Sequence, residues 1–123
     1  MLTATMVVAT LPVTDLDQAR RFYGTTLGLT ALWDNPASIR FGCGEHSELS
    51  VFKRPRTETA HTLAHFEVDD IEAAVADLEA KGVTFLDYTE GPLVTTGHIA
   101  TIGPARAAWF TDPDGNTLGL RQG

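Results

Sequence analysis

Hydrophobic and polar positions alternate along this chain with two periods, and the order in which the periods appear repeats. Thr5–Val13 (TMVVATLPV) is rich in β-branched residues and predicts a strand. In the following TDLDQARRFYGTTLG, Leu16, Ala19, Phe22 and Tyr23 recur at helical spacing and predict a single apolar face. Asp15 with Gln18, and Thr14 with Asp17, have capping-box spacing at its start, and Gly24 and Gly28 stop the helix or turn the chain. Three short strands are expected next, Leu29–Trp33, Ser38–Phe41 and Glu48–Lys53, with turns at Asn35-Pro36 and Gly42-Cys43-Gly44.

After a polar stretch, Arg54–Ala60, the pattern restarts. Leu63–Val68 predicts a strand, Asp69 and Glu72 repeat the capping box, and Ile71, Ala74, Val75 and Leu78 line a helix face that Lys81-Gly82 ends. Val83–Tyr88, Arg106–Thr111 and Thr117–Arg121 are the remaining strands, the last two joined by the turn residues Asp112-Pro113-Asp114-Gly115-Asn116. The looser segment Thr89–Pro104 contains Gly91-Pro92 and is expected to hold a short strand or a lid. Leu11, Val13, Asp15, Leu16 and Ala19 match Phe66, Val68, Asp70, Ile71 and Ala74 at one constant offset. Phe41, Leu49 and Val51 match Phe110, Leu118 and Leu120 at a second. The reading is an α+β chain of two tandem βαβββ modules: module one 1–53, a linker 54–61, and module two 62–123, together one domain, 1–123. One copy is too small to bury its own sheet face, so the two are expected to pack together.

Composition narrows the function. The 123 residues are 43% hydrophobic and 20% charged, as in an ordinary globular protein. A formal net charge of −7 argues against nucleic acid and against an anionic membrane surface, because both need clustered Lys and Arg. Cys43 is the only cysteine, so no internal disulfide forms and a reducing compartment is the simplest setting. Met1–Pro12 lacks a basic n-region and a long apolar h-region, and no apolar run reaches the roughly 20 residues of a transmembrane helix. A cytoplasmic protein without signal peptide is expected.

Two stretches carry a resemblance. LPVTDLDQARRFYGTTLGL and RAAWFTDPDGNTLGL, the latter with Arg106 six residues before Asp112, resemble the opening and closing segments of the vicinal-oxygen-chelate superfamily, the glyoxalase, bleomycin-resistance and extradiol-dioxygenase type. The resemblance spans nearly the whole chain. It implies a curved mixed sheet around a concave cavity and subunits that pair as a homodimer. Metal-dependent members hold one divalent ion with His or Glu at positions that fall here on Val8, Ser50, Leu63 and Gly119. None is a usual ligand, and Val, Leu and Gly side chains carry no lone pair for a cation. No metal and no cofactor are therefore expected.

Strand alternation then assigns the other cavity residues. Thr10, Ser50, Phe52, His65, Glu67 and Trp109 are placed on the face away from the helices, with Arg40 as a further contact. Trp109 reads either as a stacking wall for a planar ligand or as core. His65 reads as a ligand or acid–base group, or as a sheet residue paired with Glu67 or Glu48. Glu48, His65 and Glu67 are also the donors from which a displaced metal site would be built. An acidic lining would suit a cationic or hydrogen-bond-donating ligand. His98 is a lid or surface residue, Trp33 an interface candidate, His46 and His61 solvated, and Cys43 incidental. The resulting expectation is a metal-independent small-molecule binding protein of bleomycin-resistance type, sequestering an apolar or aromatic ligand such as an antibiotic and having no catalytic residues. The alternative is a lyase, isomerase or dioxygenase of the same superfamily using a displaced metal or a His65/Glu67 acid–base pair.

Overall fold

The computed structural model describes residues 2–91 and 93–123, so Pro92 of the expected Gly91-Pro92 turn lies outside the described residues. The chain forms two compact units, Met1–Glu58 and Thr59–Gly123, and the boundary falls inside the polar stretch that followed the first pattern. Among the described residues no helix is long and apolar enough to cross a membrane.

The first unit runs β1 (Val8–Val13), a short helix α1 (Leu16–Ala19) continuing as a π-helical segment (Arg20–Thr26), β2 (Thr30–Asn35), β3 (Ser38–Cys43) and β4 (Ser47–Lys53). Its four strands are ordered β1-β4-β3-β2, with β1 parallel to β4 and the other pairs antiparallel. The second unit runs β5 (Thr62–Glu67), α2 (Ile71–Ala80), β6 (Thr84–Leu86), β7 (Ala100–Ile102), β8 (Ala105–Thr111) and β9 (Thr117–Gln122). Its strand order is β5-β9-β8-β6, again with the first strand parallel to the last, and β7 pairs with β8 beyond the end of β6.

The internal repeat is therefore a repeat of register. Phe41 faces Leu49 across β3 and β4, and Phe110 faces Leu118 across β8 and β9. These residues, with Leu11, Val13, Ile39, Val51, Ala108 and Leu120, are buried on the helix side of their sheets. Each central ring has an aromatic backstop: Tyr23 lies 5.9 Å from Phe41, and Phe85 lies 5.7 Å from Phe110. Burying side chains of this size contributes roughly 1.5–3 kcal/mol each, which is why these positions hold the pattern of both units.

Both helices start at equivalent aspartates. Asp15 caps α1 by accepting from the backbone N–H of Asp17 and Gln18 at 2.9 and 3.1 Å. Asp70 caps α2 by accepting from Ala73 N–H at 3.1 Å. The capping-box spacing of Asp69 and Glu72 was thus one residue early, whereas the repeat had already aligned Asp70 with Asp15. Gly24 does not stop the first helix. The chain widens into a π-helix through it, and the turn comes at Gly28, whose φ of 79° suits glycine. The first strand starts at Val8 and not at the expected Thr5, and Val7, just before it, is 88% exposed. The Asp112–Asn116 segment is the turn expected. The buried Asp112 carboxylate accepts from the backbone N–H of Asp114 and Asn116 and from Asn116 Nδ2, at 2.8–2.9 Å. That satisfies the donors of the turn and leaves Asp112 a structural residue.

Candidate functional site

The sheet faces turned away from the helices carry the candidate residues, and register lays them out in rows. In the first unit Thr10 pairs with Ser50, Ser50 with Arg40, and Arg40 with Trp33, one row across all the strands. Pro12, Phe52 and Ser38 form the next row. In the second unit His65 pairs with Gly119, Gly119 with Trp109, and Trp109 with Leu86. Glu67, Arg121 and Ala107 form the row beside it. Each sequence-assigned residue thus lies on the open face of its own sheet.

The neighbours of these residues were not all foreseen. A register shift between Ala31 and Trp33 turns Trp33 onto the open face, where the Arg40 guanidinium lies 4.9 Å from its ring. The shift is invisible in the sequence, because a bulge changes which residues share a face without changing residue type. Arg40 Nη1 also donates to Glu48 at 2.9 Å, and among the described residues its Nε is buried without a hydrogen-bond partner. Arg54 lies 5.7 Å from the Phe52 ring. An open hollow of about 380 Å³ borders the row and is lined by Met6, Leu32, Gly42, His46 and Glu48 among others.

On the second face Glu67 bridges two partners. Arg121 Nη1 donates to it at 2.8 Å, and His65 Nε2 lies 2.6 Å from its other oxygen. Desolvation alone would push the Glu67 carboxyl up. Hydrogen bonds from Arg121 and His65, together with their charges, outweigh it and hold the group below the ordinary glutamate range. Arg121 is a neighbour of the candidate residues that sequence reasoning missed. The half-buried Trp109 ring meets Tyr88 edge-on at 5.4 Å and 87°. The acidic lining is corrected at the same time. Glu48 is compensated by Arg40 and Glu67 by Arg121.

The residues do not fit the divalent ion that metal-dependent relatives carry. Of Val8, Ser50, Leu63 and Gly119, only Ser50 has a side-chain donor, and a neutral hydroxyl is a weak one. A Cβ added at Gly119 would come within 3.1 Å of His65 Cβ, so the His65 side chain already covers that position. Among the described residues no three His, Cys, Asp or Glu side chains form a ligand set. The remaining candidates fall as follows. His46 is exposed beside Glu45, His61 is exposed, and Cys43 is a free, half-buried thiol at the end of β3 whose carbonyl accepts from Ser47 Oγ.

Several known proteins share this fold. A glyoxalase/bleomycin resistance protein from Streptomyces sp. CB03234 is 29% identical over 94% of this chain and 97% of its own, with a TM-score of 0.69. TnmS3, an antibiotic binding protein from the same organism, is 28% identical over 99% and 98%, with a TM-score of 0.74. Lactoylglutathione lyase from Agrobacterium tumefaciens is 21% identical over 98% and 95%, with a TM-score of 0.74, a likeness of fold alone. No curated protein sequence matches significantly. The profile of the Glyoxalase/Bleomycin resistance protein/Dioxygenase superfamily matches residues 5–120, and the chain belongs to that superfamily.

Proposed function

We propose that this protein binds and sequesters a planar aromatic small molecule, an antibiotic being one such ligand, without a metal ion or other cofactor. One observation carries the reading. The half-buried Trp109 ring stands on an open sheet face in register with Gly119, which has no side chain of its own, and in the row that also holds His65, whose ring pairs with Glu67. Phe52, Thr10, Ser50 and Arg40 offer apolar area and polar contacts on the open face of the first unit. Aromatic stacking adds roughly 0.5–1.5 kcal/mol beyond area burial, and the polar groups orient the ligand. The likeness to an antibiotic binding protein supports this reading.

The protein works in this reading as a cytoplasmic homodimer of one-domain chains, with pairing that covers exposed apolar residues such as Val7 and Trp33. Thermal-shift screening of aromatic antibiotics, followed by tryptophan fluorescence titration, tests it. Trp109→Ala is expected to weaken binding by about tenfold or more, equivalent to about 1.4 kcal/mol. Unchanged affinity together with a large stability loss would mean that Trp109 is packing and not recognition. Elemental analysis after dialysis is expected to find no stoichiometric transition metal, and light scattering a dimer mass.

The second reading is catalytic, and the 2.6 Å contact between His65 Nε2 and Glu67 favours it specifically. A carboxylate held ionised by Arg121 orients an imidazole, as a general base requires. Superfamily lyase, isomerase or dioxygenase turnover that disappears in His65→Gln, in protein free of metal, would replace the binding reading.

A further inference from the structure

Between β6 and β7 the second unit makes an excursion, residues 87–99, and His98 fastens it. His98 Nδ1 lies 2.9 and 3.1 Å from the two Asp87 oxygens, just past the end of β6, and Nε2 lies 2.6 Å from Glu79 on α2. Its ring stacks on Phe85 at 5.3 Å and 23°. Among the described residues Glu79 and Asp87 are the charged groups that face it, and the neighbouring Asp77 closes on Lys81. A neutral imidazole has one N–H and can serve only one of these carboxylates, leaving a lone pair against the other. The imidazolium donates to both. Hydrogen bonds to Asp87 and then Glu79, set against a smaller desolvation, hold the imidazole above the ordinary histidine range.

The local backbone does not favour this seat unaided. Thr96 and Ile99 exchange backbone hydrogen bonds at 2.8 and 3.1 Å, and between them Gly97 and His98 both have positive φ, 58° and 73°. A two-residue hairpin loop of that kind prefers Gly or Asn at its second position. The side-chain bonds of His98 therefore hold a backbone conformation that histidine rarely adopts. Asp87 is also the anchor for Thr95, whose hydroxyl donates to it at 3.1 Å. Thr95 in turn binds Tyr88 through both backbone groups: its N–H donates to the Tyr88 carbonyl at 2.8 Å, and its Oγ1 accepts from the Tyr88 N–H at 3.0 Å. Asp87 and Tyr88 are consecutive residues just past the end of β6, and their side chains reach different partners. Asp87 reaches His98 on the helix side, and Tyr88 meets Trp109 on the open face.

We propose that His98 is a positioning residue that sets the aromatic corner of Tyr88 and Trp109, and that the corner is ordered when the imidazole is charged and loosens when it is neutral. As regulation of the face read above as a ligand site, this rests on that reading; as a switch in the fold, it does not. The sign follows from the charge: the clasp is complete at pH below the ordinary histidine range and is lost as pH rises through the elevated value of the folded state.

The test is made on the full-length protein carrying Trp33→Phe, so that Trp109 is the sole tryptophan. Its fluorescence, and amide-exchange protection at Thr95 and Ile99, are followed from about pH 5.5 to about pH 9. We expect one transition with a midpoint above that of free histidine, and protection factors that fall about tenfold for each unit by which the midpoint is raised. His98→Asn keeps a residue suited to positive φ but cannot span both carboxylates, so it should abolish the transition. Asp87→Asn should lower the midpoint toward the ordinary value. His65, which pairs with Gly119 beside Trp109, is the control histidine, and His65→Gln should leave the transition in place. A transition that survives His98→Asn or vanishes in His65→Gln overturns the proposal, as do protection factors that do not move. Binding of 8-anilinonaphthalene-1-sulfonate at the two ends of the range is the separate arm. Equal affinity at both ends, with the transition intact, rejects regulation of binding while the switch stands. No binding at either end counts against the ligand reading alone.

Discussion

Two rows at equivalent places in the two units carry different chemistry. In the first unit the row is Thr10, Ser50, Arg40 and Trp33; in the second it is His65, Gly119, Trp109 and Leu86. The offsets that superpose the buried residues also superpose Thr10 on His65, Ser50 on Gly119 and Arg40 on Trp109. One register earlier or later in each strand, on the helix side, the residues agree in kind: Phe41 with Phe110, Leu49 with Leu118, Val51 with Leu120. Packing fixes the inward residue of each pair, because a change of volume there is felt by every neighbour. The outward residue is free to differ, and this is where the units have diverged. The fourth strand differs too. β2 is continuous with a bulge, whereas its counterpart is split into β6 and β7 by the excursion that His98 closes.

The strongest way to break this comparison is at the shared core. Phe41→Ala and Phe110→Ala should each cost about 3–5 kcal/mol of stability in urea unfolding, since both rings are fully buried and backed by another aromatic ring. A loss at one position less than half that at the other would show that the two cores are not equivalent. The caps sharpen it further. Asp15→Ala and Asp70→Ala should each cost about 1 kcal/mol, with Asp15 the more costly, because its carboxylate accepts from two backbone amides and that of Asp70 from one. A larger loss at Asp70 would reverse that ranking.

The smallest effect lies on the open face of the second unit. Carbon-detected NMR titration should place the Glu67 carboxyl below the ordinary glutamate range, and Arg121→Gln should move its midpoint upward. Because the folded-state value is depressed, the contribution of Glu67 to stability is present above the ordinary carboxylate value and fades as pH falls through the depressed one. With both side chains more than half exposed or nearly so, the change in unfolding midpoint should be close to zero. A midpoint for Glu67 that ignores Arg121→Gln would remove the pairing from the site.

The sequence by itself determined the two βαβββ patterns, the inward residues of the strands and the open-face placement of Thr10, Ser50, Phe52, His65, Glu67 and Trp109. Those follow from periodicity, and the period of a strand or helix is a local property of the backbone. It also showed that Val8, Leu63 and Gly119 have no donor side chain for a metal, since that is a matter of residue type. Only the tertiary structure decided that Trp33 turns to the same face as Arg40, because a bulge shifts register without a signature in composition. Nor could sequence pair Glu67 with Arg121 or close His98 onto Glu79 and Asp87. These partners are far apart along the chain, and the distance between two charges, which sets their interaction, is fixed only when the strands and helix that bear them have packed.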